Sequence, residues 1–401
     1  MFGLFSLILF LILYFTYKIS HNLFHPAFIT AFVWFLSVAS YYFYIKRTNI
    51  WISLSDKFYI IVLLYIITFT ITSISISQKS WKLSRIYLSK FEINKKNKFL
   101  VTICTLILIL LIFEFIKLAN ASNPLNIIYN VRKIAVSEDE GFSFSIKICM
   151  YAMPLAAIFI FAFYNYRKNG IDKLFYVILF FLLLMSSLFM STKGSILQFI
   201  CCIMFLLYID HKLNAKKIFF IIMIGVFLIL LLQYVRSSNS NKFNISELIY
   251  IYFLSPLPAF DELINNKLQL KMNMIGGNSF AFLYRLFYKF NLIKSMPVIL
   301  WRSHNWTSVP YPTNVYTSLA SFYIDFGIIG IFINGFVSAS IFSFIYNFAL
   351  KNKSRFFCIF YGLYVYNLIF QFFGEWFFGF FSITIQTFLF LCLVNIKFKI
   401  H

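Results

Sequence analysis

Residues 219–232 read Phe-Phe-Ile-Ile-Met-Ile-Gly-Val-Phe-Leu-Ile-Leu-Leu-Leu, a run without a single polar side chain. Strands of a membrane β-barrel alternate apolar and polar residues over about ten positions, and this run does not alternate. Backbone polar groups that enter lipid must be satisfied inside the segment itself, which a helix achieves. The stretch therefore predicts a transmembrane α-helix.

The rest of the chain has the same apolar character. Of its 401 residues, 61% are hydrophobic and only 12% are charged, whereas ordinary soluble domains are about 45–50% apolar and about 25% charged. No water-soluble core buries such an excess of apolar side chains. The composition therefore excludes a soluble protein and predicts one that lipid solvates.

Eleven apolar segments approach the length of about 20 residues that a bilayer core requires. They cover residues 2–17, 27–45, 58–76, 99–118, 148–164, 174–190, 196–209, 218–235, 328–350, 356–373 and 377–396. We predict an all-α, polytopic membrane protein. Three regions follow. Residues 1–235 contain eight helices and an external loop at 119–147, and residues 236–312 form a large external loop. Residues 313–401 contain an interfacial segment and three helices.

The formal net charge is +22, but the basic residues lie in short gaps between apolar runs and form no stripe that would bind nucleic acid. They indicate topology instead. The densest cluster lies in the connection 78–98 and contains Lys79, Lys82, Arg85, Lys90, Lys95, Lys96 and Lys98. Because basic loops stay cytoplasmic, the N-terminus is predicted outside, in the periplasm of a bacterial inner membrane, and the C-terminus inside.

The cysteines and the acidic residues favour neither disulfides nor a metal site. All six cysteines lie inside apolar runs, without the paired spacing of a zinc site. External carboxylates occur as neighbours, in Asp261-Glu262 and in Glu138-Asp139-Glu140, and adjacent residues seldom converge on one ion. We therefore expect chemistry that uses neither a metal nor another cofactor.

The stretch from Pro312 to Gly330 is the most informative in the chain and is called the signature segment below. It reads Pro-Thr-Asn-Val-Tyr-Thr-Ser-Leu-Ala-Ser-Phe-Tyr-Ile-Asp-Phe-Gly-Ile-Ile-Gly. It resembles the signature region of bacterial O-antigen or oligosaccharide-repeat-unit polymerases, often called Wzy, in which Asn-x-Tyr-Thr leads into Asp-Phe-Gly-x-x-Gly. A second fragment around Lys193-Gly194 resembles an external turn of that family, with lysine where arginine is usual.

The resemblance implies a glycosyltransferase-C-like architecture and a polymerase. Such an enzyme moves a growing glycan from undecaprenyl diphosphate to a sugar hydroxyl of the next lipid-linked repeat unit, on the periplasmic side. Its expected partners are these lipid-linked oligosaccharides, membrane lipid and a chain-length regulator protein. The family's departing lipid diphosphate carries concentrated negative charge.

Basic groups at the outer leaflet are suited to stabilise that charge, since guanidinium and ammonium groups bind phosphate oxygens strongly. The candidates are Arg236, Arg285, Arg302 and Lys193. The three arginines fall in one external loop, and arginine offers a planar fork of donors that lysine lacks. Each is equally explained as a headgroup contact or a solvated loop charge.

The acceptor hydroxyl requires a general base. Asp325 is the first candidate, His304 the second and Glu375, at the turn between the last two helices, the third. The alternative for Asp325 is an exposed residue at a helix start, and a simple loop acid explains Glu375 equally well.

Further side chains of the outer face are candidates to hold sugars. Trp301 and Trp306 flank His304 and offer faces for stacking, although a membrane-interface belt of tryptophans is the simpler reading. The polar candidates of the signature segment are Asn314, Tyr316, Thr317 and Tyr323.

Three other functions are alternatives to the polymerase. An O-antigen ligase shares the architecture and differs in its acceptor, the lipid A core. A polysaccharide flippase or transporter would explain the helices without catalysis but should show internal repeats and charges in a central cavity, and neither is visible. An acyltransferase would need a histidine motif near a helix start, which His21 and His25 do not form.

A reporter fusion tests the predicted topology. The reporter is an enzyme that is active only in the periplasm. Fused after Asn273, it should be active, because the loop 236–312 is predicted outside. Cytoplasmic reporter activity at the same position would reverse the topology and remove access to a substrate on the outer leaflet.

Overall fold

The computed structural model describes residues 1–48, 52–77, 193–209, 250–265, 274–297, 306–351 and 355–395, with isolated positions at 106, 109 and 113 and between 214 and 227. The chain divides into two compact units. The first contains Met1–Ser84, Asn244–Asn352 and Tyr364–Phe381, and the second contains Arg85–Phe243, Lys353–Leu363 and Ser382–His401. The predicted external loop 119–147 and the predicted spans 148–164 and 174–190 lie outside the described residues.

Helices dominate the described ranges, with one short antiparallel pair of strands. The helices are α1 Phe2–Ser20, α2 Pro26–Thr48, α3 Asp56–Ser77, α4 Lys193–Ile209, α5 Pro256–Ile264, α6 Ala281–Lys289, α7 Ala320–Lys351, α8 Arg355–Ile369 and α9 Phe381–Asn395. A π-helical turn covers Tyr250–Leu254, and the strands are β1 Thr307–Ser308 and β2 Pro312–Thr313. The prediction of an all-α architecture agrees with these elements.

Four of the described helices are long and apolar enough to cross a membrane. They are α1, α2, α3 and the Ala320–Leu350 part of α7, while α4 and α8 carry shorter apolar stretches, Leu197–Ile209 and Phe356–Ile369. This agrees with a polytopic membrane protein. The total of eleven spans stays a prediction.

The helix α8 ends earlier than its apolar sequence predicts, at Ile369 rather than at residue 373. The amide of Asn367 donates to the carbonyl oxygen of Tyr364 at 3.0 Å, and the amide of Gln371 donates to that of Leu368 at 2.9 Å. Side chains that bond nearby carbonyl groups compete with the helical backbone. Two polar residues inside an apolar run therefore set the end of the helix.

The core of the first unit is the packing of α3 against α7. The hydroxyl of Ser343 on α7 donates to that of Ser73 on α3 at 2.7 Å. A Cβ atom added at Gly335 would lie 3.1 Å from Thr68 Cβ and 3.2 Å from the carbonyl oxygen of Tyr65. Small residues and hydrogen bonds between side chains are the usual means of holding helices together in lipid.

Part of the predicted large loop packs on the end of α3. Its helix α5 is almost wholly buried, and Asp261 on α5 accepts a hydrogen bond from the Ser55 backbone N–H at 3.0 Å and another from the Ser55 hydroxyl. The Lys57 ammonium group donates to the carbonyl oxygen of Ile264 at 2.7 Å. The α2–α3 connection and the loop therefore lie at the same end of the bundle.

The signature segment breaks α7 into two parts, α7a before Gly327 and α7b after it. Gly327 has φ 60° and ψ −140°, a backbone conformation that only glycine adopts readily. A Cβ atom at Gly330 would lie 2.0 Å from the carbonyl oxygen of Phe322, so α7b begins in close contact with the backbone of α7a. Both glycines of Asp-Phe-Gly-x-x-Gly are thus required by the break.

Replacing Gly330 by alanine should destabilise the protein by about 1–3 kcal/mol, because the methyl group meets backbone that cannot give way as a flexible side chain would. The midpoint of thermal unfolding in detergent, at one fixed scan rate, measures the effect. Gly3→Ala is the matched control, since a Cβ atom there has nothing within 4 Å. Equal midpoints for the two variants would contradict the close contact.

Candidate functional site

The signature segment is largely buried, although the sequence predicts its polar residues at the membrane interface. Tyr316, Thr317 and Ser318 are buried in the turn that leads into α7a, whereas Asn314 and Tyr323 remain partly exposed. The Tyr323 ring packs edge-on against Phe260 of α5 with ring centroids 6.0 Å apart. Of the four polar candidates in the signature segment, Asn314 and Tyr323 therefore keep some access to solvent, and Tyr316 and Thr317 do not.

Tyr316 lies near an acidic residue of α5. Burial raises the pKa of its phenol to about 12, and the Glu262 carboxylate acts in the same direction. Glu262 itself accepts a hydrogen bond from the Thr307 hydroxyl of β1. Tyr316 is therefore a neutral hydroxyl at physiological pH, suited to hydrogen bonding rather than to proton transfer.

Asp325 is buried and binds the loop 276–279. Its carboxylate accepts hydrogen bonds from the Asn278 backbone N–H at 3.0 Å, the Asn278 side-chain amide at 3.0 Å and the Ser279 backbone N–H at 2.6 Å. It lies inside α7a rather than at an exposed helix start. Each carboxylate oxygen receives two contacts, because the Asn278 N–H also lies 3.3 Å from the second oxygen.

A polar cavity lies deeper in the first unit, beside the start of α7. It has a volume of about 20 Å³. Its polar lining residues are Tyr65, Ser318, Asn334, Ser338, Asn367, Gln371, Glu375 and Trp376. The cavity therefore joins the signature segment, through Ser318, to α3, α7, α8 and the turn that follows α8.

Hydrogen bonds hold the walls of the cavity in place. The Ser318 backbone N–H donates to the carbonyl oxygen of Gln371 at 2.8 Å, and the Asn334 amide donates to the carbonyl oxygen of Ser318 at 3.3 Å. The Tyr65 hydroxyl donates to the side-chain oxygen of Gln371 at 2.9 Å. The Ser338 hydroxyl donates to Asn334 Oδ1 at 2.8 Å. These contacts tie the end of α8 to α3 and α7.

Glu375 supplies the carboxylate of the cavity and stands, as predicted, between the last two helices. One of its oxygens accepts the backbone N–H groups of Phe377 and Phe378 at 2.9 and 2.8 Å, and the other accepts that of Gly379 at 2.6 Å. Burial raises the pKa of Glu375 to about 7, although these three donors lower it. Near neutral pH, this carboxyl group therefore exists in both protonation states.

Aromatic rings stand next to Glu375. Trp376 stacks between Phe373 and Phe380, with ring centroids 6.1 and 5.6 Å apart and planes within 12° of parallel. Its indole N–H is buried and has no hydrogen-bond partner among the described residues. The Trp376 ring is thus already stacked with aromatic neighbours, and what it offers at the cavity is its indole donor.

Other predicted residues lie elsewhere among the described residues. Arg285 is partly exposed on α6, and Trp306 is exposed just before β1; neither lines the cavity. Lys193 belongs to the second unit, where it is the first residue of α4. Arg236, Trp301, Arg302 and His304 lie outside the described residues, so their roles stay predictions.

The neutral amides of the cavity were not among the residues predicted from sequence. Asn367 and Gln371 stand four residues apart in the apolar run 356–373, and Asn334 and Ser338 show the same spacing, although the folded helix α8 ends at Ile369, before Gln371. Residues four apart lie on one face of a helix. A search for amides at this spacing, rather than for charges alone, would have found the polar stripe in an otherwise apolar run.

Within the described ranges, no three His, Cys, Asp or Glu side chains converge as the ligands of a metal ion would. Comparison of the chain with protein-family models, with curated proteins and with solved structures finds no match. Function must therefore be argued from the residues and their geometry.

Asp325→Asn distinguishes a structural carboxylate from a proton acceptor. We expect a loss of about 1–3 kcal/mol in stability, since an amide offers one acceptor oxygen where the loop 276–279 uses two. The measurement is thermal unfolding in detergent, with the exposed Asp56→Asn at the start of α3 as control. An unchanged unfolding midpoint with lost activity would instead favour the role of general base.

Proposed function

We propose that this protein polymerises lipid-linked oligosaccharides at the periplasmic face of a bacterial inner membrane. It would join undecaprenyl-diphosphate-linked repeat units into O-antigen or a related surface polysaccharide, with no metal ion or other cofactor. One observation carries the proposal. The segment that resembles the polymerase signature lines, through Ser318, the same polar cavity as Asn367, Gln371 and Glu375.

The chemistry of the cavity suits a sugar substrate. Hydroxyl, amide and carboxylate groups, each able to bind a hydroxyl group, stand beside the apolar residues Phe342, Leu368 and Phe377. Ligand sites commonly combine an apolar lining with a few polar groups that fix orientation. A sugar presents hydroxyl groups at its edge, and one such hydroxyl matches the polar part of this wall.

The reaction forms one bond and breaks another. The acceptor hydroxyl oxygen attacks the anomeric carbon of the donor glycan, and the bond between that carbon and the diphosphate oxygen breaks. The electron pair stays on the diphosphate, where Arg285, together with Arg236, Arg302 and Lys193, is the proposed source of positive charge. The hydroxyl proton must pass to a base.

Two alternatives remain within this proposal. An O-antigen ligase would use the same donor and differ only in taking the lipid A core as acceptor. A flippase or transporter is favoured by one observation, the break of α7 at Gly327, because transporters often bind their substrates where helices are discontinuous. Purified protein in liposomes separates them, since only a polymerase lengthens the lipid-linked glycan.

Loss of glycan chain length tests the proposal in cells. A strain that lacks the gene should carry single repeat units on the lipid A core, and the wild-type gene should restore a ladder. Asn367→Leu should shorten the ladder, because losing one hydrogen bond to a substrate weakens binding by about 0.5–1.5 kcal/mol. Electrophoresis of the lipopolysaccharide is the measurement.

Asn347→Leu is the matched control. Asn347 donates to the carbonyl oxygen of Ile76 at 2.9 Å and does not line the cavity. Both variants remove an amide from a helix, so only a role for the cavity predicts that they differ. A full ladder in the strain without the gene would contradict the proposed function.

A further inference from the structure

The cavity beside Glu375 has room for one small group. Its volume of about 20 Å³ exceeds the roughly 10–15 Å³ that a single water molecule needs, but it is far smaller than a sugar ring. The group that fits has the size of a water molecule or of one hydroxyl group. A sugar would therefore enter the cavity with a single hydroxyl and leave its ring outside.

Several polar atoms at the cavity have no hydrogen-bond partner within the described residues. They are Ser318 Oγ, Asn367 Oδ1 and the indole nitrogen of Trp376. Ser318 and Asn367 are each only 8% exposed. A buried polar atom without a partner costs about 1–3 kcal/mol, and such atoms are rare in native proteins. Their convergence on one cavity points to a ligand that supplies the missing hydrogen bonds.

The carboxylates of the buried Asp325 and the half-buried Glu375 differ in the hydrogen bonds that their oxygens accept. A carboxylate has about four lone-pair sites, two on each oxygen. The oxygens of Asp325 each receive two contacts from the loop 276–279. Glu375 receives three backbone N–H groups, and the oxygen that binds Gly379 accepts only one of them. Among the described residues, one oxygen of Glu375 thus keeps a free acceptor position, while the backbone contacts hold the carboxylate in place.

We propose that the acceptor sugar hydroxyl enters this cavity and that Glu375 takes its proton during transfer. The hydroxyl oxygen bonds to the anomeric carbon of the donor, the bond from that carbon to the diphosphate breaks, and the proton moves to the free position of Glu375. The indole N–H of Trp376 donates a hydrogen bond to the acceptor. This inference rests on the proposed function and names the residue that activates the acceptor.

The groups around Glu375 favour a proton acceptor that works near neutral pH. Tyr65 of α3 is the titratable side chain that shares the cavity lining, and its phenol carries no charge there near neutral pH. The elements α7 and α8 contribute neutral groups, among them Asn334 and Asn367. Burial raises the pKa of Glu375 to about 7, close to the value at which a general base works best.

The direction of the pH dependence follows from this chemistry. Only the deprotonated carboxylate accepts a proton, so the rate of transfer should rise with pH. The rise should be about tenfold per pH unit below 7, with a plateau above it, as expected for a single base with a pKa of about 7.

The test uses the full-length protein in nanodiscs with lipid-linked repeat units extracted from the strain that lacks the gene. Polymer formation is measured from pH 5.5 to 8.5. Glu375→Gln should lower kcat by about 10²–10⁴-fold and remove the pH dependence. Trp376→Phe keeps a ring but loses the indole donor, and should raise KM several-fold with little change in kcat. Asp56→Asn, an exposed carboxylate at the start of α3, should match the wild type.

A second variant guards against a folding defect. If Glu375→Gln does not accumulate, Glu375→Asp retains a carboxylate on a side chain one methylene group shorter. It should keep the pH dependence at a reduced rate. Loss of the pH dependence in Glu375→Asp would overturn the inference.

The outcomes also separate the inference from the function on which it rests. Wild-type protein that lengthens no glycan would contradict the proposed function itself. Wild-type activity together with full activity and an unchanged pH profile in Glu375→Gln would overturn only the role of Glu375. A slower Glu375→Gln variant that keeps the wild-type pH profile would do the same.

Discussion

A polar group that leaves water must find its partner inside the protein, and most of the first unit follows from this constraint. Ser73 meets Ser343 between two apolar helices. Asp261 receives the N–H and hydroxyl groups of Ser55, which anchors α5 on the end of α3. Asp325 plays the same part for the loop 276–279. Short polar contacts thus determine which helices and loops pack together, which apolar packing alone would not determine in lipid.

The cavity is one of the places where this constraint is incompletely met. Among the described residues, Ser318 and Asn367 keep unpaired polar atoms there, whereas the neighbouring Gln371 and Asn334 are bonded across helices. Buried hydrogen-bond networks that are only partly satisfied are costly. The described part of the protein therefore combines a rigid wall with a small number of free polar groups, which is the arrangement that a specific ligand site requires.

The two carboxylates near the signature segment show why a residue's role depends on its neighbours. From sequence, Asp325 is the stronger candidate for a base, because it belongs to the recognisable Asp-Phe-Gly-x-x-Gly pattern. In the fold its acceptor positions are occupied by Asn278 and Ser279. Glu375 belongs to no recognisable pattern, yet it lines the cavity, and one of its oxygens accepts a single hydrogen bond from the described residues.

Composition and the length of apolar runs were sufficient for the fold class, since α1, α2 and α3 lie where those runs predict them. The hydrophobicity of a run can be calculated from its sequence, without knowing which residues contact it in the fold. The end of α8 and the break of α7 depended instead on Asn367, Gln371, Gly327 and Gly330, whose effects are contacts with particular backbone atoms. The cavity gathers side chains from residue 65 to residue 377, and only tertiary packing brings groups so distant in sequence together.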